Sequence, residues 1–318
     1  MSRPEKHGPD REQQMQKGFQ LNDLKICPGQ GAACPIQMFI NPDEAEKKYL
    51  VTELKLDEHT LNSALDPDEQ SRLEFEPDHL ALILKRPQNY SAREEFLFKV
   101  SSFGLFLFKD RLVVVVSEDI PLFEGKIFNR VSSLSDAALK LIYRSIYHFV
   151  EHLKIINMVS DSLESKINSS MENRYLLNLF TLEKSLVYYL NAINSNSTVI
   201  EKLKSNSAKI GFSQEEHEFL DDITIENNQC YKQADIYSNI LAGLMDARVS
   251  IVSNNLNVLM KTLNIITIGI MVPTFVVSAF SMNVKIPIQQ HPWAFWIILA
   301  LALISVAGFM LFWRFKKW

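Results

Sequence analysis

The sequence predicts an α+β membrane protein: an N-terminal cytosolic α/β domain, a long helical stalk and two C-terminal transmembrane helices. Three observations lead there. Charged residues are dense up to about Thr262 and nearly vanish beyond it. Two runs, 262–280 and 293–313, contain no charge, and each is long enough to cross ~30 Å of hydrocarbon. No proline interrupts 213–272, so a single helix can run from the soluble part into the first span.

Composition narrows the function classes. The 318 residues carry a net charge of −4, which offers no basic face to nucleic acid. Cys27, Cys34 and Cys230 form no C-x-x-C pair and no zinc-like spacing, which fits reduced thiols in the cytosol. Residues 1–30 read as a disordered tail. The first twenty have no apolar core for a secretory signal and too many acids for a transit peptide.

Residues 31–130 form the α/β domain. Apolar runs at 36–40, 80–85, 96–100, 104–108 and 112–116 are strand-like, with Lys109, Asp110 and Arg111 as a hairpin loop between the last two. The stretch 57–65 is helical in pattern. Residues 131–212 then repeat apolar positions at helical spacing. They give helices over 132–168 and 172–205 and a turn at 206–212. Ser213 and Glu216 have capping-box spacing and open the stalk helix, 213–280, whose membrane part is about 262–280. Unbroken, that helix is roughly 100 Å long, more than a small globular domain can bury.

A polar loop, 281–292, separates the spans and contains Lys285 and His291; the tail 314–318 is basic. Lys261, Arg314, Lys316 and Lys317 flank the spans on one side, so both termini are expected in the cytosol, with the loop outside a plasma (bacterial inner) membrane. Trp293, Trp296, Trp313 and Trp318 fall at interfacial depths. Lys261 reads equally as a snorkelling anchor or a gating residue.

The functional feature lies on the stalk helix. Asp246, Ser250, Ser253, Asn257, Met260, Asn264, Thr267, Met271, Thr274 and Ser278 recur at steps of three and four. A normal coiled-coil seam is apolar; this one is polar, small or thioether. Two readings of the stripe stay open: tight packing between helices, which small and polar residues favour in lipid, and a water-filled pore lined by copies of the same helix. Two spans per chain cannot enclose a pore, so the second reading requires a symmetric ring of subunits.

The first span ends in Ala279, Phe280, Ser281, Met282 and Asn283. This resembles the Tyr-Gly-Met-Asn signature of the CorA family of magnesium and cobalt transporters. Asn257, Met260, Lys261 and Leu263 resemble the family's pore-helix pattern, and Met271, Thr274 and Phe275 fall at matching places before the signature. The closing Lys316-Lys317-Trp318 is similar to the family's basic tail, and Ala64–Pro67 with Arg72–Glu74 is similar to a segment of its soluble domain. The resemblance implies a homopentamer with a cytosolic funnel, no enzyme activity and no cofactor. It implies a selectivity loop of Ser281, Met282 and Asn283, with Asn283 holding the incoming hydrated cation. It also implies a pore lined by Thr274, Met271, Asn257 and Asp246, with Met260 and Leu263 as its hydrophobic constriction; Asn264, Thr267 and Ser278 join the lining from the stripe. The cargo would be Mg²⁺ with Co²⁺, moving down its electrochemical gradient. Partners would be further copies of the chain, the lipid bilayer and divalent cations.

Two departures stand out. Serine replaces the signature glycine at 281, and glycine reaches backbone conformations that cost serine free energy. The family's zinc-transporting branch also has an altered signature. In the family, cytosolic sites between subunits sense magnesium through acids. Asp222 matches the stalk acid and is the candidate sensor residue, but its partner positions are the uncharged Asn62 and Ser63, with Asp66, Asp68 and Glu69 nearby.

Two alternatives follow: a zinc transporter of the same superfamily, with or without proton coupling, to which His291 lends slight support, and a membrane-anchored sensor or scaffold that moves no ion. No phosphate-binding glycine loop, G-x-S-x-G or H-E-x-x-H motif supports an enzyme. His148 and His152 read as a helix face rather than a metal site. Glu215, Glu216, Glu218, Asp221 and Asp222 read as a solvated helix start.

Overall fold

The structure is a computed structural model, and it describes residues 16–29, 34–90, 96–169, 173–284, 288 and 290–316. It divides into two units, residues 1–245 and 246–318.

In the first unit a seven-stranded sheet has the order β2-β1-β3-β7-β6-β5-β4. The strands are β1 (Gln16–Asn22), β2 (Lys25–Gly29), β3 (Ile36–Ile40), β4 (Arg72–Phe75), β5 (His79–Pro87), β6 (Val100–Phe108) and β7 (Leu112–Val116). Only β3 and β7 pair in parallel. The run Leu112–Val116 is apolar at every position because both of its faces are covered. Val114 and Val116 face a large core built with the long helices, while Val113 and Val115 face a smaller one under two short helices.

Those short helices are α1 (Glu44–Thr52), closed by an Asp43–Glu46 capping box, and α2 (Glu58–Ser63), capped by Asp57. Gly104 of β6 lets α2 come close: a Cβ there would lie 2.7 Å from that of Ala64. The other face carries α3 (Leu134–Ser169) and α4 (Asn173–Ser205). Asn196 of α4 pins β5, accepting from the Lys85 amide at 2.8 Å and donating to the Lys85 carbonyl at 2.8 Å.

Two expectations need correcting. Residues 16–29 are not a tail: β1 and β2 form a hairpin at the sheet edge, turning at Asp23 and Leu24, both with positive φ. Phe19, Leu21 and Ile26 of the hairpin pack on the large core, which supplies the burial that ordered chain requires. Residues 1–15 lie outside the described residues. The runs at 96–100 and 104–108 are not two strands. Phe96 has φ of 70°, and the Phe98 amide donates to Ser185 Oγ at 3.0 Å rather than to a strand. A single strand, β6, starts at Val100 and runs through Ser101 and Ser102, whose hydroxyls are satisfied by Ser117 and by the Asp66 carbonyl.

Within 206–212 a short helix, α5 (Ser207–Ile210), is closed by Gly211 at φ 85°. The next helix, α6 (Gln214–Phe280), is 67 residues long. Its capping box forms: Ser213 N donates to Glu216 Oε2 at 2.7 Å, and Glu216 N to Ser213 Oγ at 3.2 Å. Glu216 also accepts from Ser133 Oγ at 2.5 Å, which ties the start of α6 to that of α3.

The second unit holds the C-terminal part of α6 and α7 (Ala294–Lys316). Both are long and apolar enough to cross a membrane. Pro273 sits inside α6 without ending it.

Candidate functional site: the polar face of the first span

An α-helix advances about 100° per residue, so the faces of α6 can be assigned. Within the span, Ile265, Gly269, Val272 and Val276 are half-buried, whereas most of the helix is exposed. Gly269 identifies the cover, since a Cβ there would lie 3.6 Å from Phe309 Cε1 of α7. Asn264, Thr267, Met271, Thr274 and Ser278 are all exposed. By that rotation they centre about 150° from the face that meets α7. Asp246, Ser250, Ser253, Asn257, Met260 and Leu263 continue the exposed face toward the soluble end. Packing against α7 therefore does not account for the stripe.

The two threonine hydroxyls on this face are arranged in one way. Thr267 Oγ1 donates to the Leu263 carbonyl at 2.9 Å, and Thr274 Oγ1 to the Ile270 carbonyl at 2.7 Å. Each donor is used within the helix, leaving the oxygen lone pairs as acceptors on the exposed face. Acceptor oxygens without net charge suit a hydrated cation. A shallow groove lined by Gly269, Pro273, Thr274, Ser278 and Ser281 runs beside them.

At the end of α6, Ser281 does not take a left-handed φ. Its amide and hydroxyl both bond to the Ser278 carbonyl, at 3.1 and 2.9 Å. Serine thus closes the helix in ordinary backbone geometry, and the substitution for glycine costs no strain here. Met282 and Asn283 follow, both exposed. His291 lies near the start of α7 and accepts from the Trp293 amide through Nδ1 at 3.3 Å. Lys285 falls outside the described residues.

Asp222 lies in the other unit. It lines a cavity of about 980 Å³ with Glu226, Glu151, Arg144, Tyr143 and Tyr147. Asn62, Ser63, Asp66, Asp68 and Glu69 are not among the described residues that line it. No cluster of three or more His, Cys, Asp or Glu suited to a metal occurs among the described residues. Arg72 holds the neighbourhood of Ser63 instead. Its guanidinium donates to Glu69 and Glu74, each at 2.8 Å, and to Ser63 Oγ at 2.9 Å.

His148 and His152 are drawn into the protein rather than displayed. Burial, then the neighbouring His152, Arg86 and Arg144, pushes His148 down to about 3. Burial likewise lowers His152 to about 4, and its Nδ1 lies 2.6 Å from the Tyr189 hydroxyl. Sequence reading placed them on a helix face but missed this burial, because the partner ring, Tyr189, comes from α4. The acidic run is only partly solvated: Glu216 is committed to the cap, and Asp221 pairs with Lys204 at 2.7 Å.

An α/β domain whose last helix continues into an apolar helical pair long enough to cross a membrane is the architecture of a two-span membrane protein. The chain belongs to the CorA-like Mg2+ transporter protein family, whose model matches residues 37–317. It is 23% identical over 289 residues to the cobalt/magnesium transport protein CorA of Methanocaldococcus jannaschii, covering 87% of this chain and 89% of that one. It is 22% identical over 268 residues to the cobalt/magnesium transport protein CorA of Thermotoga maritima, covering 81% and 75% of the two chains. The fold matches the complete structure of the M. jannaschii CorA magnesium transporter with a TM-score of 0.82 at 20% identity, over 94% of this chain and 97% of that one.

Proposed function

We propose that the chain is one subunit of a passive Mg²⁺ channel that also admits Co²⁺, with copies arranged in a ring so that their polar stripes line a common pathway. The observation that carries this reading is the exposed stripe itself. In lipid a polar helix face requires a partner or water, and α7 covers the opposite side. The homopentamer is the assembly that the family resemblance implies. The membrane is the plasma membrane, with both termini in the cytosol and 281–292 outside.

Asn283 stands at the outer mouth and bonds to the hydration shell of the arriving cation through its amide oxygen. Magnesium sheds water reluctantly, so such a contact selects without demanding dehydration. Ser278, Thr274, Met271, Thr267 and Asn264 continue inward, Met260 with Leu263 forms the narrow apolar stretch, and Asn257 and Asp246 lead to the cytosol. From Asn283 to Asn257 the lining is neutral and holds a divalent ion weakly enough to release it. Two charges crossing ~100 mV supply about 4.6 kcal/mol, so the membrane potential suffices as driving force. Asp222 is the candidate cytosolic sensor acid.

The test is uptake by proteoliposomes under an imposed voltage. Mg²⁺ entry without a pH gradient, lost in Asn283→Ala, supports the channel. Zn²⁺ entry that requires a proton gradient would assign the chain to zinc transport, and no flux of any ion would favour an anchored sensor or scaffold.

A further inference from the structure

The soluble unit contains a small cavity of about 70 Å³ between β5, β6 and α3, separate from the transport face. Its polar lining consists of Arg86, Asn89, Arg144, Ser145 and His148, against an apolar wall that includes Phe103. No carboxylate is among the described lining residues.

Arg86 is the unusual member. It is 2% exposed, and a buried guanidinium is costly unless its donors are matched. One terminal nitrogen donates to the Pro87 carbonyl at 3.0 Å, and the other reaches Glu118, a partly exposed carboxylate, only at 3.4 Å. Its Nε has no partner among the described residues. Buried polar atoms are rarely left this way.

The rest of the lining adds donors. Arg144 bonds to Glu151 with one nitrogen at 3.0 Å, which leaves other N–H groups of its fork. His148 is neutral at cytosolic pH and contributes an N–H without adding charge. The Ser145 hydroxyl is already committed to the Lys85 carbonyl at 2.8 Å. Two guanidinium groups, an amide and an imidazole therefore meet in a space with room for several waters or one small anion. Planar guanidinium forks match oxyanions with paired hydrogen bonds.

We propose that this cavity binds one small oxyanion of the phosphate class, held by Arg86 and Arg144 with Asn89 and His148 completing the shell. The bound anion gives the buried Nε donor an acceptor and completes two guanidinium groups whose carboxylates, Glu118 and Glu151, each take one nitrogen.

The experiment is equilibrium dialysis of purified full-length protein against radiolabelled orthophosphate at constant ionic strength. Saturable binding is expected, weakened at least about tenfold in both Arg86→Lys and Arg144→Gln and unchanged in Arg111→Gln on the β6–β7 turn. Should Arg86→Lys fail to fold, Arg144→Gln at the more exposed side decides alone. An ATP arm separates the sources: orthophosphate retained against equimolar ATP assigns the site to the free ion, and displacement assigns the same chemistry to a nucleotide's terminal phosphate. Absence of saturable binding, or binding indifferent to both arginine substitutions, means that the cavity holds water and overturns the proposal.

Discussion

Gly269 of α6 lies against the ring of Phe309 of α7, close enough that an added methyl would come 3.6 Å from Phe309 Cε1. That distance is ordinary contact, so the site has room for one carbon and no more. Gly269→Ala is expected to keep transport and to hold or raise thermal stability, because alanine restricts the unfolded chain and favours helix. Gly269→Leu is expected to wedge the spans apart and cost about 1–3 kcal/mol. Melting of both variants in detergent checks the pair; equal melting points would remove this contact from the account.

Ser281 closes α6 with its own hydroxyl on the Ser278 carbonyl. Because its backbone is unstrained, neither a glycine nor an alanine should alter what Asn283 does. Ser281→Gly and Ser281→Ala are expected to retain uptake within about twofold while losing one hydrogen bond of about 1 kcal/mol. Loss of uptake in both variants would show that the loop depends on the Ser281 hydroxyl after all.

Acid should weaken the soluble unit in a defined window. His148 and His152 are lowered to about 3 and about 4 in the fold, against 6.5 in a free chain. Below pH 6.5 the unfolded chain binds the protons and the folded one does not, so stability is complete above 6.5 and falls as pH drops toward 3, the His152 share being lost by about 4. At pH 5 unfolding should take up about two protons from this pair. Denaturation of the full-length protein at pH 7.5 and pH 5 measures the loss, which should shrink by about half in His152→Leu. An unaltered pH dependence in that variant would contradict the burial described for the ring.

Arg72 binds two acids, Glu69 and Glu74, in the neighbourhood of Ser63, one of the expected partner positions of Asp222. With Glu69 and Glu74 already on a guanidinium, cytosolic Mg²⁺ is expected to change the currents little. Arg72→Ala frees both carboxylates and should increase inhibition by internal Mg²⁺. Patch recordings decide it: wild-type currents shut by low-millimolar internal Mg²⁺ would rule out the arginine as the substitute.

Much of this was legible in the chain, and what was missed has physical causes. The apolar runs at β3, β5 and β7 announce themselves because both sheet faces are buried, so β7 and the middle of β5 carry no polar position and Gln37 alone interrupts β3. The long helix was readable from missing prolines and from Ser213 with Glu216. The β1–β2 hairpin was not, because its strands carry polar alternate residues and β2 is the sheet edge, and only tertiary burial of Phe19 and Leu21 reveals them. The stripe was visible as a period in the sequence. Which side of α6 it occupies relative to α7 was not, since that depends on the fit of Gly269 to Phe309. Arg86 gave no signal at all, because an arginine at the end of a strand is ordinarily exposed.

The central claim is that the polar face of α6 lines a water-filled path. The direct measurement is a cysteine scan of 262–280 in protein whose three native cysteines are replaced, labelled in intact vesicles with a charged, membrane-impermeant thiol reagent. Cysteines at 264, 267, 271, 274 and 278 are expected to react and to be protected by high Mg²⁺, while those at 265, 269, 272 and 276 stay unlabelled. Labelling confined to the second set, or absent from both, would contradict a pore on this face.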